Sequence, residues 1–195
     1  MVKFYLYSGM RRQELTNLEW DEIDLEQNEI HIAGRKTIRL PKIKYTLGKR
    51  SYTLPARQYP FRTKNGKRRT IPINNRFRTL IEDLVEQRQG IKAMDQCPLV
   101  FPAMRTACQN RVMNAGKVSR RFTKCVTEVG LPDTLTLHSL RHTFASRLAM
   151  SGRSLYQIGQ LLGHSALEVT KIYAHLTPKS LAPVVADLDF DIEGG

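Results

Sequence analysis

No aspartate or glutamate occurs between Glu29 and Glu82, although Lys and Arg recur across that interval from Arg35 to Arg78. A second acid-free stretch runs from Asp133 to Glu168. The cations in these stretches have no counter-ion close in sequence, which excludes a surface of alternating, self-neutralising charge. Cysteine is scarce: Cys97, Cys108 and Cys125 are odd in number and form no CxxC pair. That excludes a disulfide framework and a cysteine-based zinc site, and it points to a reducing, cytoplasmic setting. No run is apolar and long enough to span a bilayer, and no signal-peptide pattern opens the chain.

What is present is positive charge. The 195 residues hold 31 Lys and Arg against 18 Asp and Glu, a formal net charge of +13. Hydrophobic residues make up 41% and charged residues 25%, values of an ordinary folded domain. A one-sided basic field of this size fits a polyanionic partner, and nucleic acid is the default. The end of the chain is the reverse, with Asp187, Asp189, Asp191 and Glu193 and no base.

Periodicity and turn signals predict mainly α structure with one small antiparallel β-sheet near the middle, an α+β fold. Ser8-Gly9 breaks two helices, the second with Leu15, Leu18 and Trp20 on its apolar face. A strand is expected at Ile30 to Ala33. Residues 34–62, punctuated by Pro41, Gly48, Pro55 and Pro60, read as an irregular extended insertion that adds a DNA-backbone contact. Asn65-Gly66 is a strong hairpin signal within "FRTKNGKRRTIPI". Further helices are expected to close at Gly90 and Gly130. In "HSLRHTFASRLAMSG", Leu137, Leu140, Phe144 and Leu148 form one apolar stripe. Capping-box pairs Ser154/Gln157 and Ser165/Glu168 open the last two helices, with Val169, Ile172 and Leu176 facing the core.

His138 and Arg141 are three apart and share a face away from that stripe. His142 follows without the intervening Glu of a His-Glu-x-x-His zinc motif, and no third ligand is at hand, so no metal is expected. An external anion is what remains, since Arg presents a planar fork to phosphate oxygens and a neighbouring His adds a donor.

"HSLRHTFAS", "LLGHS" and "TKIYAHL", in that order, resemble the C-terminal signature of the tyrosine recombinases, the phage-integrase family. "SGMRRQEL" resembles the family's first box, and "TKNGKRRTIPI" its β-hairpin. The resemblance runs from Arg11 to His175 and implies the tyrosine recombinase catalytic-domain fold. It implies catalytic roles for Arg11, Lys64, His138, Arg141, His164 and Tyr173, with Glu14 and His142 supporting them. Lys67 and Lys36 stand close enough to compete with Lys64. Arg12, Lys67, Arg68 and Arg69 are expected to contact DNA.

In this family the tyrosine attacks a phosphodiester to give a 3′-phosphotyrosyl link, the arginines stabilise the added charge, and the lysine protonates the leaving 5′-oxygen. His138 would hydrogen-bond the phosphate and could accept the tyrosine's proton. No cofactor or metal is implied. The expected activity is site-specific recombination, breaking and rejoining double-stranded DNA. The alternatives are a type IB topoisomerase-like nicking-closing enzyme and a non-catalytic DNA-binding module. Residues 1–183 are expected to be the catalytic domain, without the core-binding domain that usually precedes it. Residues 184–195 form an acidic tail expected to join protomers into a homotetramer on DNA. The setting implied is a bacterial or phage-encoded protein at the nucleoid, with no membrane association.

Overall fold

Phe4 and Tyr5 are fully buried on the first helix, α1 (Val2–Ser8), and Gly9 ends that helix in the left-handed region at φ 58°. A side chain at Gly9 would strike the Phe144 ring at 2.4 Å, so the chain can turn here only with glycine. The computed structural model describes residues 1–47, 49–64, 66–89, 97–103, 112–164 and 171–177. After the turn come α2 (Arg12–Thr16), a 3₁₀ turn at Trp20–Glu22 and β1 (Ile23–Asp24). The second helix is thus shorter than its apolar pattern predicts. Leu18 is buried beyond its end.

β2 (Glu29–Ile32) lies between β1 and β7 (Arg69–Pro72) in a three-stranded antiparallel sheet. Between β2 and β7 the chain forms a long ribbon rather than an irregular insertion. β3 (Arg35–Leu40) pairs with β6 (Arg57–Arg62), and β4 (Ile43–Leu47) with β5 (Arg50–Leu54). The two ladders share one register, Leu40 opposite Arg57 and Ile43 opposite Leu54, broken only around Pro41 and Pro55. Pro41 and Pro55, which look like loop signals, mark a break within a paired structure, and Pro60 lies inside β6 opposite Thr37. Alternation explains the pairing: Ile38 and Leu40 turn inward onto Cys97 and Leu99, while Arg35, Thr37 and Arg39 turn out.

The expected hairpin about Asn65-Gly66 also differs. Its flanking strands do not pair with each other, since β6 pairs with β3 and β7 with β2. The local turn signal is outweighed by the longer-range pairing. Arg35 faces Arg62 and Ile32 faces Arg69, so residues 33–34 on one side span residues 63–68 on the other. Lys64 therefore sits on a bulge midway along a long hairpin. Thr63 is buried and fastens this bulge, its amide donating to the Gly34 carbonyl at 2.9 Å. Gly34 has no room for a side chain, which would meet the Gly66 carbonyl oxygen at 2.2 Å. Asn65 lies outside the described residues.

The remaining elements are helical: α3 (Asn75–Arg88), α4 (Ala115–Glu128), α5 (Leu137–Met150) and α6 (Leu155–Leu162), then a 3₁₀ segment at Lys171–Leu176. Side chains of Asn74, Asn114, Thr136 and Ser154 cap the four helices. Gly163 stops α6 at φ 63°. The main core joins Phe4, Met10, Leu15, Ile30, Ile71 and Phe77, and a second packs Ala145, Ala149, Ile158 and Leu162 around Tyr173.

Two helical expectations change. The buried row of α5 is Leu137, Arg141, Ala145 and Ala149, with Leu140, Phe144 and Leu148 only half-buried. Ile172 is 52% exposed, and Tyr173 takes the core position instead. Gly90, Cys108, the Ser165/Glu168 pair, Val169 and the acidic tail lie outside the described residues.

Candidate active site

The C-terminus of α6 explains how this chain gathers cations with few acids. The last carbonyls of a helix lack intrahelical partners and carry the negative end of its dipole. Here three arginines take three successive carbonyls. Arg69 Nε donates to Leu161 at 2.8 Å, Arg141 Nη2 to Leu162 at 2.6 Å, and Arg11 Nη2 to Gly163 at 2.6 Å. Arg141 also donates through Nη1 to the Gly9 carbonyl at 2.5 Å, which the left-handed turn at Gly9 presents. Its guanidinium is buried on backbone oxygens alone, and this is why the α5 stripe accommodates a charge.

Glu14, 3% exposed, is the one carboxylate in the cluster. Arg69 Nη1 and Nη2 reach its two oxygens at 2.9 and 2.7 Å, Arg11 Nη1 at 3.1 Å, and the Arg11 amide at 2.6 Å. Burial alone would raise its pKa, but Arg69 and then Arg11 overcome that and hold it at about 2. Arg69, expected on DNA, is therefore turned inward with a side chain only 8% exposed. Three adjacent basic residues give no local sign of which one points in.

A cleft of about 1010 Å³ opens beside this cluster. Its walls include Arg11, Arg12, Lys64, His138, Arg141 and His164, and among the described residues no carboxylate. Lys36 is not among them. Its Nζ sits between Glu19 at 2.7 Å and Glu22 at 2.5 Å, where it ties β3 to the 3₁₀ turn. Lys64 is exposed on its bulge and reaches the cleft, whereas Lys67 and Arg68 are exposed but do not line it. Arg12 donates to Ser119 Oγ at the rim.

Burial lowers the pKa of both cleft histidines, and their neighbours lower it further. For His138 these are His142, Arg141 and Arg11. For His164 they are Arg141, Arg11, Arg69 and His138, which bring it to about 4. Both are thus neutral at pH 7. Burial, then Arg11, pulls Arg141 to about 10, so it keeps its proton.

Tyr173 does not reach the cleft wall. It is 5% exposed, and its hydroxyl lies 2.6 Å from His142 Nδ1. The His142 ring meets His138 edge-on at 4.6 Å between centroids. Two imidazoles thus separate the phenol from the cleft, and His142 rather than His138 holds it. Burial raises the phenol's pKa and Arg141 opposes the rise.

A stability profile follows. His164 has a folded pKa of about 4 against an ordinary 6.5, so the unfolded chain binds more protons between those values. Its contribution is complete above pH 6.5 and declines as pH falls to about 4. Glu14 contributes fully above 4.5 and loses its contribution toward pH 2. Urea midpoints should therefore begin to fall near pH 6.5, and His164→Gln should delay the onset. A midpoint constant from pH 7 to pH 5 in the unsubstituted protein contradicts this.

The family model described as "Phage integrase family" matches residues 1–180. The chain belongs to the phage integrase family. Among relatives of this integrase-family chain, the tyrosine recombinase XerC of Thermodesulfovibrio yellowstonii is 26% identical over 94% of the chain and 52% of the relative. The integrase of Staphylococcus phage L54a is 27% identical over 91% of the chain and 48% of the relative. A tyrosine recombinase XerC-like protein of Caldanaerobacter subterraneus is 30% identical over 93% of the chain and 46% of the relative. The chain spans about half the length of these relatives. The Tn1549 transposon integrase, solved with transposon right end DNA, superposes with a TM-score of 0.66 at 22% identity, covering 95% of this chain and 56% of the other. XerA recombinase superposes at 0.62 with 20% identity, covering 96% and 57%. The fold is that of the tyrosine recombinase catalytic domain. Among the described residues no helix is long and apolar enough to cross a membrane.

Proposed function

We propose that this chain is the catalytic part of a site-specific recombinase that cuts and rejoins duplex DNA through a 3′-phosphotyrosyl intermediate. The observation that carries it is the cleft holding Arg11, Arg141, His138, His164 and Lys64 with, among the described residues, no carboxylate on its walls. A phosphodiester is the anion that such a cleft fits. Arg11 and Arg141, already fixed on backbone oxygens, would stabilise the charge that develops on the nonbridging oxygens. Neutral His138 and His164 would each donate an N–H to the same oxygens. For attack the Tyr173 hydroxyl would have to leave its buried position beside His142 and enter the cleft, where it would bond to phosphorus as its proton passes to His138. The P–O5′ bond breaks, and Lys64 protonates the leaving oxygen. The phosphotyrosyl link retains an activated ester, so rejoining is the reverse of these steps.

The experiment is incubation with a nicked duplex in which cleavage releases a short fragment and prevents rejoining. A protein–DNA adduct that survives denaturation is expected, and its absence refutes the reading. The family match does not favour the topoisomerase-like alternative. A purely DNA-binding module would be supported by loss of a catalytic position, and Arg11, Lys64, His138, Arg141, His164 and Tyr173 all match the family's motifs.

Assembly into a tetramer through the acidic tail belongs to the same proposal. It rests on the alternation of Val184, Val185, Leu188, Phe190 and Ile192 with acids. Deleting residues 184–195 should reduce cooperative assembly on DNA without unfolding the domain. A deletion variant that assembles and cleaves like the parent removes the tail from the proposal. Residues 1–183 as the catalytic unit stand or fall with the same experiment.

A further inference from the structure

We infer that Arg35 and Arg62 form a clamp for a backbone phosphate of duplex DNA beside the one that enters the cleft; this rests on the DNA reading above.

The two arginines are directly opposite each other in the β3–β6 register, and both are exposed. Like charges directly opposite each other across a strand pair are destabilising. Here the guanidiniums nevertheless converge. A side chain at Gly66 would meet Arg62 Nε at 3.3 Å and Arg35 Nε at 3.4 Å. No acidic residue occurs anywhere between Glu29 and Glu82 to neutralise them, and neither takes part in an ion pair among the described residues.

Their placement relative to Lys64 is fixed. Gly66 lies on the same bulge as Lys64, and that bulge is packed so closely on Gly34 that no Cβ fits between them. The inward face of the ribbon is pinned by Ile38 and Leu40 on Leu99 and by Lys36 on Glu19 and Glu22. Those contacts hold the backbone of Arg35 and Arg62 beside the bulge, and the two exposed side chains reach out from there. A shallow groove runs beside it, lined by Arg35, Lys36, Thr37, Pro60, Phe61 and Arg62. Lys36 is engaged by its two glutamates, so among the described residues the cations of that groove outside an ion pair are the two arginines.

Two converging guanidinium forks suit a phosphate's oxygens. In duplex DNA phosphates recur about every 3.4 Å of axis along a strand. A strand that places one phosphate at Lys64 and Arg141 must carry others past the bulge. The clamp would set the register of that strand and so determine which phosphate Lys64 meets.

The test compares the full chain with an Arg35→Gln/Arg62→Gln variant on the nicked duplex. Affinity is measured over a range of salt concentrations, and adduct yield at saturating DNA. The magnitude of the slope of log affinity against log salt should fall by about 0.9, the value for one phosphate neutralised. Adduct yield at saturating DNA should fall as well, because the register that brings one phosphate to Lys64 is no longer set by the clamp. Thermal stability should hold or rise, as a repulsive pair is removed. If the double variant unfolds, Arg35→Gln alone is read the same way. Lys124→Gln, on an exposed side chain of α4, is the control and should leave the slope unchanged. An unchanged slope in the arginine variant, or an equal fall in the Lys124 control, overturns the clamp. If the unsubstituted chain neither binds DNA nor forms an adduct, the DNA reading has failed and the clamp fails with it.

Discussion

Tyr173→Phe should form no covalent adduct with nicked DNA while binding that DNA within about twofold of the parent. Phenylalanine retains the ring that packs on Ala145, Ala149, Ile158 and Leu162. Only the hydroxyl is lost, and with it the hydrogen bond to His142. A single buried hydrogen bond contributes roughly 1 kcal/mol, too little to unfold the domain. DNA affinity should hold because the cations that meet phosphate are on the cleft and the ribbon, not on the Lys171–Leu176 segment. Peptide mapping of the trapped adduct checks the assignment. An adduct in the variant that maps to a different tyrosine would show that Tyr173 is not the nucleophile.

Glu14→Gln is expected to be the most destabilising substitution in the cluster, by about 3–5 kcal/mol, the cost of breaking a buried ion pair by removing one partner. Both carboxylate oxygens accept guanidinium hydrogen bonds, and one also accepts the Arg11 amide. An amide can replace only one of those oxygens, and its NH₂ would face donors. Arg69 would be left buried and uncompensated. Glu14→Leu combined with Arg69→Met should recover much of the stability, since apolar replacement of a whole buried pair is often neutral. It should not recover cleavage, because Arg11 would still lack the carboxylate that orients it. A urea midpoint for Glu14→Gln equal to the parent's would show that the cluster does not support the fold.

The order of the sequence motifs was enough to name Arg11, Lys64, His138, Arg141 and His164, which the fold brings to one cleft, and four of them, Arg141 excepted, lie within two residues of a glycine, cap or turn signal that is itself local. What was not legible depended on distant partners. Arg69 looks like its neighbours Lys67 and Arg68 until Glu14, 55 residues away, is placed beside it. Arg141 was expected on a face away from the apolar stripe, because no sequence signal marks the Gly9 and Leu162 carbonyls that receive it in the buried row of α5. The Asn65-Gly66 pair is a hairpin signal only if its flanking strands meet, and here each flanking strand has an earlier partner. His142 was legible as a supporting residue, but its contact with Tyr173 depends on how α5 packs against the Lys171–Leu176 segment.

The three arginines on the end of α6 have a consequence for partly folded chains. Arg11 comes from the start of α2, Arg69 from β7 and Arg141 from α5, and each is held by a carbonyl at Leu161 to Gly163. Two of them, Arg11 and Arg141, would also handle phosphate, so these groups are at once part of the cleft and rivets that join distant parts of the chain. A nascent or heat-loosened molecule that lacks any one of these docked elements has its cations splayed apart, with no cleft. An enzyme that opens DNA strands is hazardous to its host when misassembled. On the proposed reading, the cleft, and with it any cutting of DNA, exists only when all three elements are docked on the end of α6.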